Sequence, residues 1–171
     1  NAQYLPSVVG RWLGTADARG VWRWLGYGLF ALNLLAVARL VIRGAPRAAE
    51  WAFALLFLGL PLAVETSWPH YFVYLPFAQM LVWLETEFLR RNSVSSLKFT
   101  GWLALALLLL SIVLASMPFF QLVGRWQDYS QYGVLFIANL SLLLAAHALT
   151  LRPAARSGHP AAAAEPASAA P

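Results

Sequence analysis

The segment "AVETSWPHYFVYLP", residues 63–76, places a cluster of polar side chains between two apolar runs. Those runs, 51–64 and 71–84, are each 14 residues long and contain no charged residue. Proline is tolerated in the first turn of a helix, where its missing N–H has no intrahelical partner to lose. The segment therefore predicts that one helix ends near Glu65 and that a second helix begins at Pro69.

The composition is typical of a membrane protein. Of 171 residues, 60% are hydrophobic and 11% are charged, whereas soluble domains carry about 25% charged residues. The absence of cysteine excludes disulfides, thiolate catalysis and cysteine-based metal sites. The net charge of +5 comes from basic residues at the ends of apolar runs, which favours membrane lipids over nucleic acid as partners. Because the chain starts at Asn1 without a Met or a signal peptide, we expect it to be the C-terminal piece of a longer polytopic protein.

Five apolar segments predict an all-α fold, a polytopic bundle of about five transmembrane helices. A helix needs about 20 residues to cross about 30 Å of hydrocarbon. With flanking residues included, the predicted spans are 24–42, 48–65, 70–89, 99–120 and 130–151. The second and third segments are short enough that a re-entrant pair is the alternative. Together these segments predict one membrane domain over 1–151, followed by a disordered, Ala/Pro-rich tail over 152–171.

Basic residues set the predicted orientation of this bundle. The segments after the first, third and fifth spans carry seven of the 12 basic residues, namely Arg43, Arg47, Arg90, Arg91, Lys98, Arg152 and Arg156. The positive-inside rule assigns these segments and the C-terminus to the cytoplasm. The leader 1–23, the turn 65–70 and the loop 124–130 would then share the extracytoplasmic face.

The turn 65–70 has the features of an anion site. A helix that begins at Pro69 would direct free N–H groups and a partial positive charge at the extracytoplasmic surface. His70 in its first turn could donate to an anion or transfer a proton, and Glu65 is close enough in sequence to orient it. Pro76 removes the hydrogen bond to the Phe72 carbonyl and permits a kink. The alternative is an ordinary polar turn flanked by a belt of interfacial aromatic residues.

The polar cluster also carries a family resemblance. The segment "SWPHYFVYLP" resembles the Ser-Trp-x-His-(Tyr/His)-x-Val-x-Leu-x-Pro signature of the bacterial polytopic glycosyltransferases of family 87, and the matching residues are Ser67, Trp68, His70, Tyr71, Val73, Leu75 and Pro76. The start, "NAQYLPSVVGRWLG", is similar to that family's Asn-Gln-Ser-Leu segment, which an arginine follows about nine residues on. The residues that fit there are Asn1, Leu5, Pro6 and Arg11, while Gln3 and Tyr4 depart from the triplet. The resemblance covers roughly residues 1–91.

The resemblance implies a membrane-embedded hexosyltransferase of the bacterial cytoplasmic membrane. Such an enzyme moves a sugar, here expected to be mannose, from a polyprenyl-phosphate donor to a lipid-linked or cell-envelope glycan on the extracytoplasmic side. The residues it implies for binding the donor phosphate and substrate are His70, Arg11, Glu65, Trp68, Ser67, Tyr71 and Asn1. The family's general base is a carboxylate in the first extracytoplasmic loop, which this chain does not contain, so we expect the chain alone to be inactive. We expect no cofactor and no metal, since the sequence has no Gly-rich phosphate loop and no metal-ligand spacing.

Two alternatives to a glycosyltransferase remain at this point. One is a piece of a polytopic transporter or flippase, in which Arg39, His70 and His147 would mark a solute or proton path. The other is a membrane subunit without a catalytic site. An enzyme predicts that Arg11 and Glu65 converge with His70 on one extracytoplasmic pocket, whereas a transporter predicts ionisable side chains that face a cavity near the middle of the bilayer.

The remaining polar residues of the apolar segments have structural explanations. Asn139 and Ser141 are expected to hydrogen-bond across helices. His147 lies about one turn from the cytoplasmic end of the last span and is expected to reach the interface. Glu85 and Glu87 are expected to pair with the two arginines that follow them.

Overall fold

The computed structural model describes residues 3–14, 19–65, 69–92, 95–122, 124 and 132–151. Across these residues the secondary structure is helical and no strand is present, which confirms the all-α prediction for this part of the chain. The tail predicted to be disordered, 152–171, lies outside the described residues.

Eight helical segments follow one another along the described chain. They are α1 (Leu5–Leu13), α2 (Arg19–Ile42), α3 (Ala48–Ala63), a 3₁₀ helix (Pro69–Tyr74), α4 (Leu75–Asn92), α5 (Ser95–Ala115), α6 (Met117–Leu122) and α7 (Val134–Thr150). The leader helix α1 was not predicted. Each of the five segments predicted to span the membrane overlaps at least one of the other helices.

The segment predicted as one span over 99–120 is divided into two helices. Pro118 has no N–H to donate to the Leu114 carbonyl, so an α-helix cannot continue through it without losing a bond. The chain makes a tight turn instead, in which the Ser116 amide nitrogen lies 3.2 Å from the Val113 carbonyl oxygen. The prediction of one unbroken helix is therefore wrong at this point.

The last helix lies at the centre of the packing. α7 packs most extensively against α5 and also contacts α3 and α4, while α2 packs against α3 and α1. Its completely buried residues include the alanines 138, 145 and 146. Small side chains allow neighbouring helix backbones to approach closely, which is how helices associate where the surroundings are apolar.

Two glycines bring α2 and α3 into close contact. A Cβ at Gly26 would overlap the backbone carbonyl of Leu62, and a Cβ at Gly59 would overlap the side chain of Asn33. Asn33 in turn donates from Nδ2 to the Leu55 carbonyl oxygen at 2.8 Å. This pair of helices is therefore fixed both by its shape and by a buried hydrogen bond.

One described helix is long and apolar enough to cross a membrane. It covers Gly20–Ile42, with a mean hydropathy of 1.9 and only 22% of its apolar window buried inside the protein. The apolar helices Ala48–Ala63, Phe99–Ala115 and Val134–Thr150 are shorter. At 1.5 Å per residue, about 17 residues extend over about 26 Å, slightly less than the hydrocarbon core of a bilayer.

Candidate functional site

The leader helix α1 is amphipathic and begins with proline. Leu5, Pro6, Val8 and Val9 are its buried residues, and they follow the spacing of one helix face. Pro6 stands in the first turn, where it is favoured. Gly14 ends the helix with a left-handed φ of 64°, and its N–H donates to the Gly10 carbonyl.

This helix docks at one end of the bundle, which we call the α1 end. Val8 packs against Gly133, where φ is 71° and an added Cβ would meet the valine side chain. Trp12 donates from Nε1 to the Tyr132 carbonyl oxygen at 3.0 Å. The Leu5 side chain lies beside Gly26. The α1 end is therefore defined by α1, the first turns of α2 and α7, and the last turn of α3.

Charged side chains gather at the α1 end. Arg11, in the last turn of α1, is partly buried, and this burial lowers the pKa of its guanidinium group. Arg23 donates a hydrogen bond to Tyr4, which is 3% exposed, and its Nη2 lies 3.8 Å from Oε2 of Glu65. Exposed ion pairs contribute little to stability. The ion pair between Glu65 and Arg23 is therefore expected to add little to the free energy of unfolding.

The sequence-predicted site residues are only partly described. The structure places Arg11 and Glu65 at the α1 end, and Glu65 is paired with Arg23. The backbone of His70 and Tyr71 lies in the 3₁₀ helix, but their side chains are outside the described residues. Asn1, Ser67 and Trp68 lie outside them entirely.

Arg23 was missed as a candidate. In the sequence it is one of several basic residues of the leader, and its distance from Glu65 along the chain hides their proximity. The packing of Gly26 against Leu62 brings the start of α2 to the end of α3 and so makes the pair.

The helix that begins at Pro69 is a 3₁₀ helix and not the expected α-helix. Residues Pro69–Tyr74 form a 3₁₀ helix, Phe72 departs from helical geometry at φ −85° and ψ 15°, and the α-helix starts only at Leu75. The expected kink ahead of Pro76 is thus confirmed. The expected anion-binding helix start at Pro69 is weakened, because the macrodipole builds up over aligned α-helical peptide groups.

A buried polar chain holds this 3₁₀ helix in place. The Tyr74 hydroxyl donates to Oδ1 of Asn139 at 2.8 Å, and Nδ2 of Asn139 donates to the Leu58 carbonyl oxygen at 2.7 Å. Asn139 is 1% exposed. Two hydrogen bonds thus connect the 3₁₀ helix, α7 and α3, which confirms the prediction that Asn139 bonds across helices.

Of the predictions for the other polar residues of the helices, one is wrong and one is confirmed. Ser141 does not bond across helices, because its hydroxyl donates to Ile137 in its own helix at 2.9 Å. Glu87 pairs as predicted with Arg91 at 2.7 Å and with Arg90 at 3.4 Å. No group of three or more His, Cys, Asp or Glu side chains that could hold a metal ion occurs in the described segments.

An apolar groove of about 800 Å³ runs along α3 and reaches the 3₁₀ helix. Its lining residues are mostly aromatic or aliphatic and comprise Ala49, Glu50, Phe53, Phe57, Val73, Tyr74 and Phe77. The rings contact one another, with Phe57 lying 5.4 Å from Tyr74 and Phe53 lying 5.5 Å from Phe77 between centroids. The groove can hold a hydrocarbon chain, and no pattern in the sequence predicted it.

Comparison with known proteins gives no relative from which residue roles could be transferred. No protein-family model, curated protein or solved structure matches this chain.

Proposed function

We propose that this chain is part of a polytopic membrane hexosyltransferase that takes its sugar from a polyprenyl-phosphate donor. The transfer would take place on the extracytoplasmic face of the bacterial cytoplasmic membrane, with a lipid-linked or cell-envelope glycan as the acceptor and mannose as the expected sugar. The membrane-length helix α2 supports the location. The motif around His70 supports the chemistry.

The observation that carries this proposal is the gathering of charge at the α1 end. Arg11 and Arg23 lie there with Glu65, and Pro69 is only four positions beyond Glu65 along the chain. Four residues extend at most about 14 Å. His70 follows Pro69 and would therefore lie toward the α1 end, whose two arginines suit a phosphate because guanidinium groups bind phosphate oxygens in a fork.

The apolar groove along α3 supports a lipid-linked donor. It ends at Val73 and Tyr74, a few residues beyond His70 along the 3₁₀ helix. A polyprenyl chain in this groove would bring its phosphate toward the α1 end. A soluble sugar nucleotide would gain nothing from such a groove.

A topology of five spans is part of the proposal. Polar residues that can occupy the headgroup region lie within a few residues of both ends of α3 and α7, and at the start of α5. Arginines 43, 47, 90 and 91 follow α2 or lie near the end of α4, at the bundle end opposite α1. That distribution supports a cytoplasmic location for the opposite end.

The test is the replacement of His70 by alanine in the full-length protein as cells produce it. Membranes carrying His70→Ala are assayed for transfer of radiolabelled sugar from a polyprenyl-phosphate donor. A hydrogen bond to a charged group contributes about 1.5–3 kcal/mol, so we expect a loss of kcat/KM of at least about tenfold. His159→Ala, which changes a histidine in the tail, is the matched control and should retain full transfer.

Unchanged transfer by His70→Ala, in protein that inserts and folds normally, would remove His70 from the mechanism. A second variant, Arg11→Lys, keeps the positive charge but loses the fork geometry. It should reduce transfer less than Arg11→Ala does, and equal effects of the two would contradict phosphate binding by Arg11.

The second candidate is a transporter or flippase, and one feature favours it. Arg39 and His147 line a common groove between α2 and α7. Arg39 is near the end of α2, however, and not at its middle. Proteoliposomes containing the protein would show proton or solute flux in this case, and sugar transfer would not depend on His70.

A further inference from the structure

A second groove, of about 470 Å³, lies between α2 and α7. It exists because α2 packs on α3 and α1, while α7 packs mainly on α5, α3 and α4. Leucines line most of the groove, among them Leu32, Leu35 and Leu143. Its volume lies within the range of about 300–1,000 Å³ that is usual for ligand sites.

Two buried polar atoms of the groove residues have no hydrogen-bond partner in the described part of the chain. Asn33 is 2% exposed, and although its Nδ2 donates to Leu55, its Oδ1 accepts no hydrogen bond. Nδ1 of His147 is also buried and without a partner. Leaving a buried polar atom unsatisfied is unfavourable, so the His147 nitrogen favours a ligand that places a hydrogen-bonding polar group beside it.

Arg39 gives the groove a positive charge at one end. It is exposed, and α2 ends three residues later at Ile42. It lies six residues from Asn33, a distance of about 9 Å along the helix. None of the described residues that line the groove is acidic. The groove therefore presents a cationic mouth and an apolar interior.

We infer that this groove binds one anionic phospholipid. Its phosphate would accept hydrogen bonds from the Arg39 guanidinium and, in the tautomer that carries a proton on Nδ1, from His147. One acyl chain would lie along the leucines of the groove. This inference rests on the proposed membrane location, but it does not require the chain to transfer sugars.

The probe is a pair of lipids that differ only in headgroup charge, palmitoyl-oleoyl phosphatidylglycerol and palmitoyl-oleoyl phosphatidylcholine. The whole purified chain is equilibrated in detergent with equal amounts of both, and the retained lipids are counted by native mass spectrometry. We expect phosphatidylglycerol to be retained about fivefold over phosphatidylcholine, in keeping with the effect of one basic residue on anionic lipid. Arg39→Gln should bring that ratio close to one.

Two further variants separate a site from general attraction. Arg43→Gln removes an exposed charge just beyond α2 that does not line the groove, and it should leave the ratio unchanged. Ala36→Phe fills the groove without changing charge, and it should reduce the retention of both lipids. Each variant is first shown to keep wild-type helicity and a single elution peak.

Equal retention of the two lipids by the wild-type chain would overturn the inference. If Arg43→Gln lowers the ratio of retained phosphatidylglycerol to phosphatidylcholine as much as Arg39→Gln does, the inference is also overturned. Such a result would show that general surface charge, and not the groove, attracts the anionic lipid. If alkaline washing extracts the chain from membranes, the proposed membrane location itself fails. If the chain stays in the membrane but shows no lipid preference, only the inference that the groove binds an anionic phospholipid is refuted.

Discussion

Replacing Tyr74 by phenylalanine should destabilise the bundle through a single lost hydroxyl. The Tyr74 hydroxyl donates to Asn139 Oδ1 at 2.8 Å. Without it, Oδ1 has no donor while Asn139 remains 1% exposed. Hydrogen bonds between membrane helices contribute about 0.6 kcal/mol on average and up to about 1.7 kcal/mol. Because an unsatisfied acceptor stays buried, we expect a loss of about 1–2 kcal/mol in the free energy of unfolding.

A double-mutant cycle with Asn139→Leu tests this reasoning. Asn139→Leu removes both bonds of Asn139, and once it is made the Tyr74 hydroxyl has no partner to lose. The combined variant should therefore be about 1 kcal/mol more stable than the sum of the single losses predicts. Ser141→Ala is the matched control on the same helix, since its hydroxyl bonds only within α7, and it should cost less than about 0.5 kcal/mol.

The measurement is reversible unfolding by sodium dodecyl sulfate in mixed micelles, followed by circular dichroism. Two results would refute the role of this polar chain. One is a loss for Tyr74→Phe no larger than that for Ser141→Ala. The other is additivity of the two substitutions within about 0.3 kcal/mol, which is the behaviour of independent sites.

Two further predictions concern helix contacts and use the same unfolding assay. Gly26→Ala should cost about 1–3 kcal/mol because its Cβ meets the immobile carbonyl of Leu62, whereas Gly28→Ala, with open space around it, should gain about 0.5–1 kcal/mol. Equal effects of the two would contradict close packing of α2 on α3. Gly133→Ala and Gly124→Ala both force alanine into a positive φ, but only Gly133→Ala also pushes against α1. Cleavage of the leader by a protease should therefore accelerate in Gly133→Ala alone, and equal rates would show that this contact does not hold α1.

The leader helix shows where reading the sequence fell short. Its apolar residues have helical spacing and proline stands in its first turn, yet the segment "LPSVVGRWL" is only nine residues long. Isolated helices of this length are marginal. What stabilises α1 is its docking, through Val8 on Gly133 and Trp12 on Tyr132, across more than a hundred residues of chain. A pattern confined to the leader cannot indicate such a partner.

The start of the third segment was predicted correctly in part. Proline chemistry predicted a break near Phe72, and the break is present. The stretch ahead of the break is a 3₁₀ helix whose last residue, Tyr74, hydrogen-bonds Asn139 in α7. The local rule predicted the place of the irregularity, but it could not predict this long-range contact.

Some residues of the candidate site were predicted from the sequence, and others were identified only from the tertiary structure. Arg11 and Glu65 were identified from a motif and from the expected topology. Arg23 joined them only through the packing of α2 on α3. The α2–α7 groove likewise depends on which helices fail to pack together, and no window of the sequence contains that information.

By itself, the sequence determined that this chain is helical, strongly apolar and divided by proline and polar residues at most of its helix boundaries. Those properties are local, because they follow from hydrogen bonds and side chains within a few residues. Only the tertiary structure decided where α1 docks, which polar atoms find partners and which remain unsatisfied. The physical reason is that contacts between distant segments depend on the fit of whole helix faces. Whether a glycine allows close packing, or an asparagine forms a hydrogen bond, depends on the residue that faces it from the neighbouring helix.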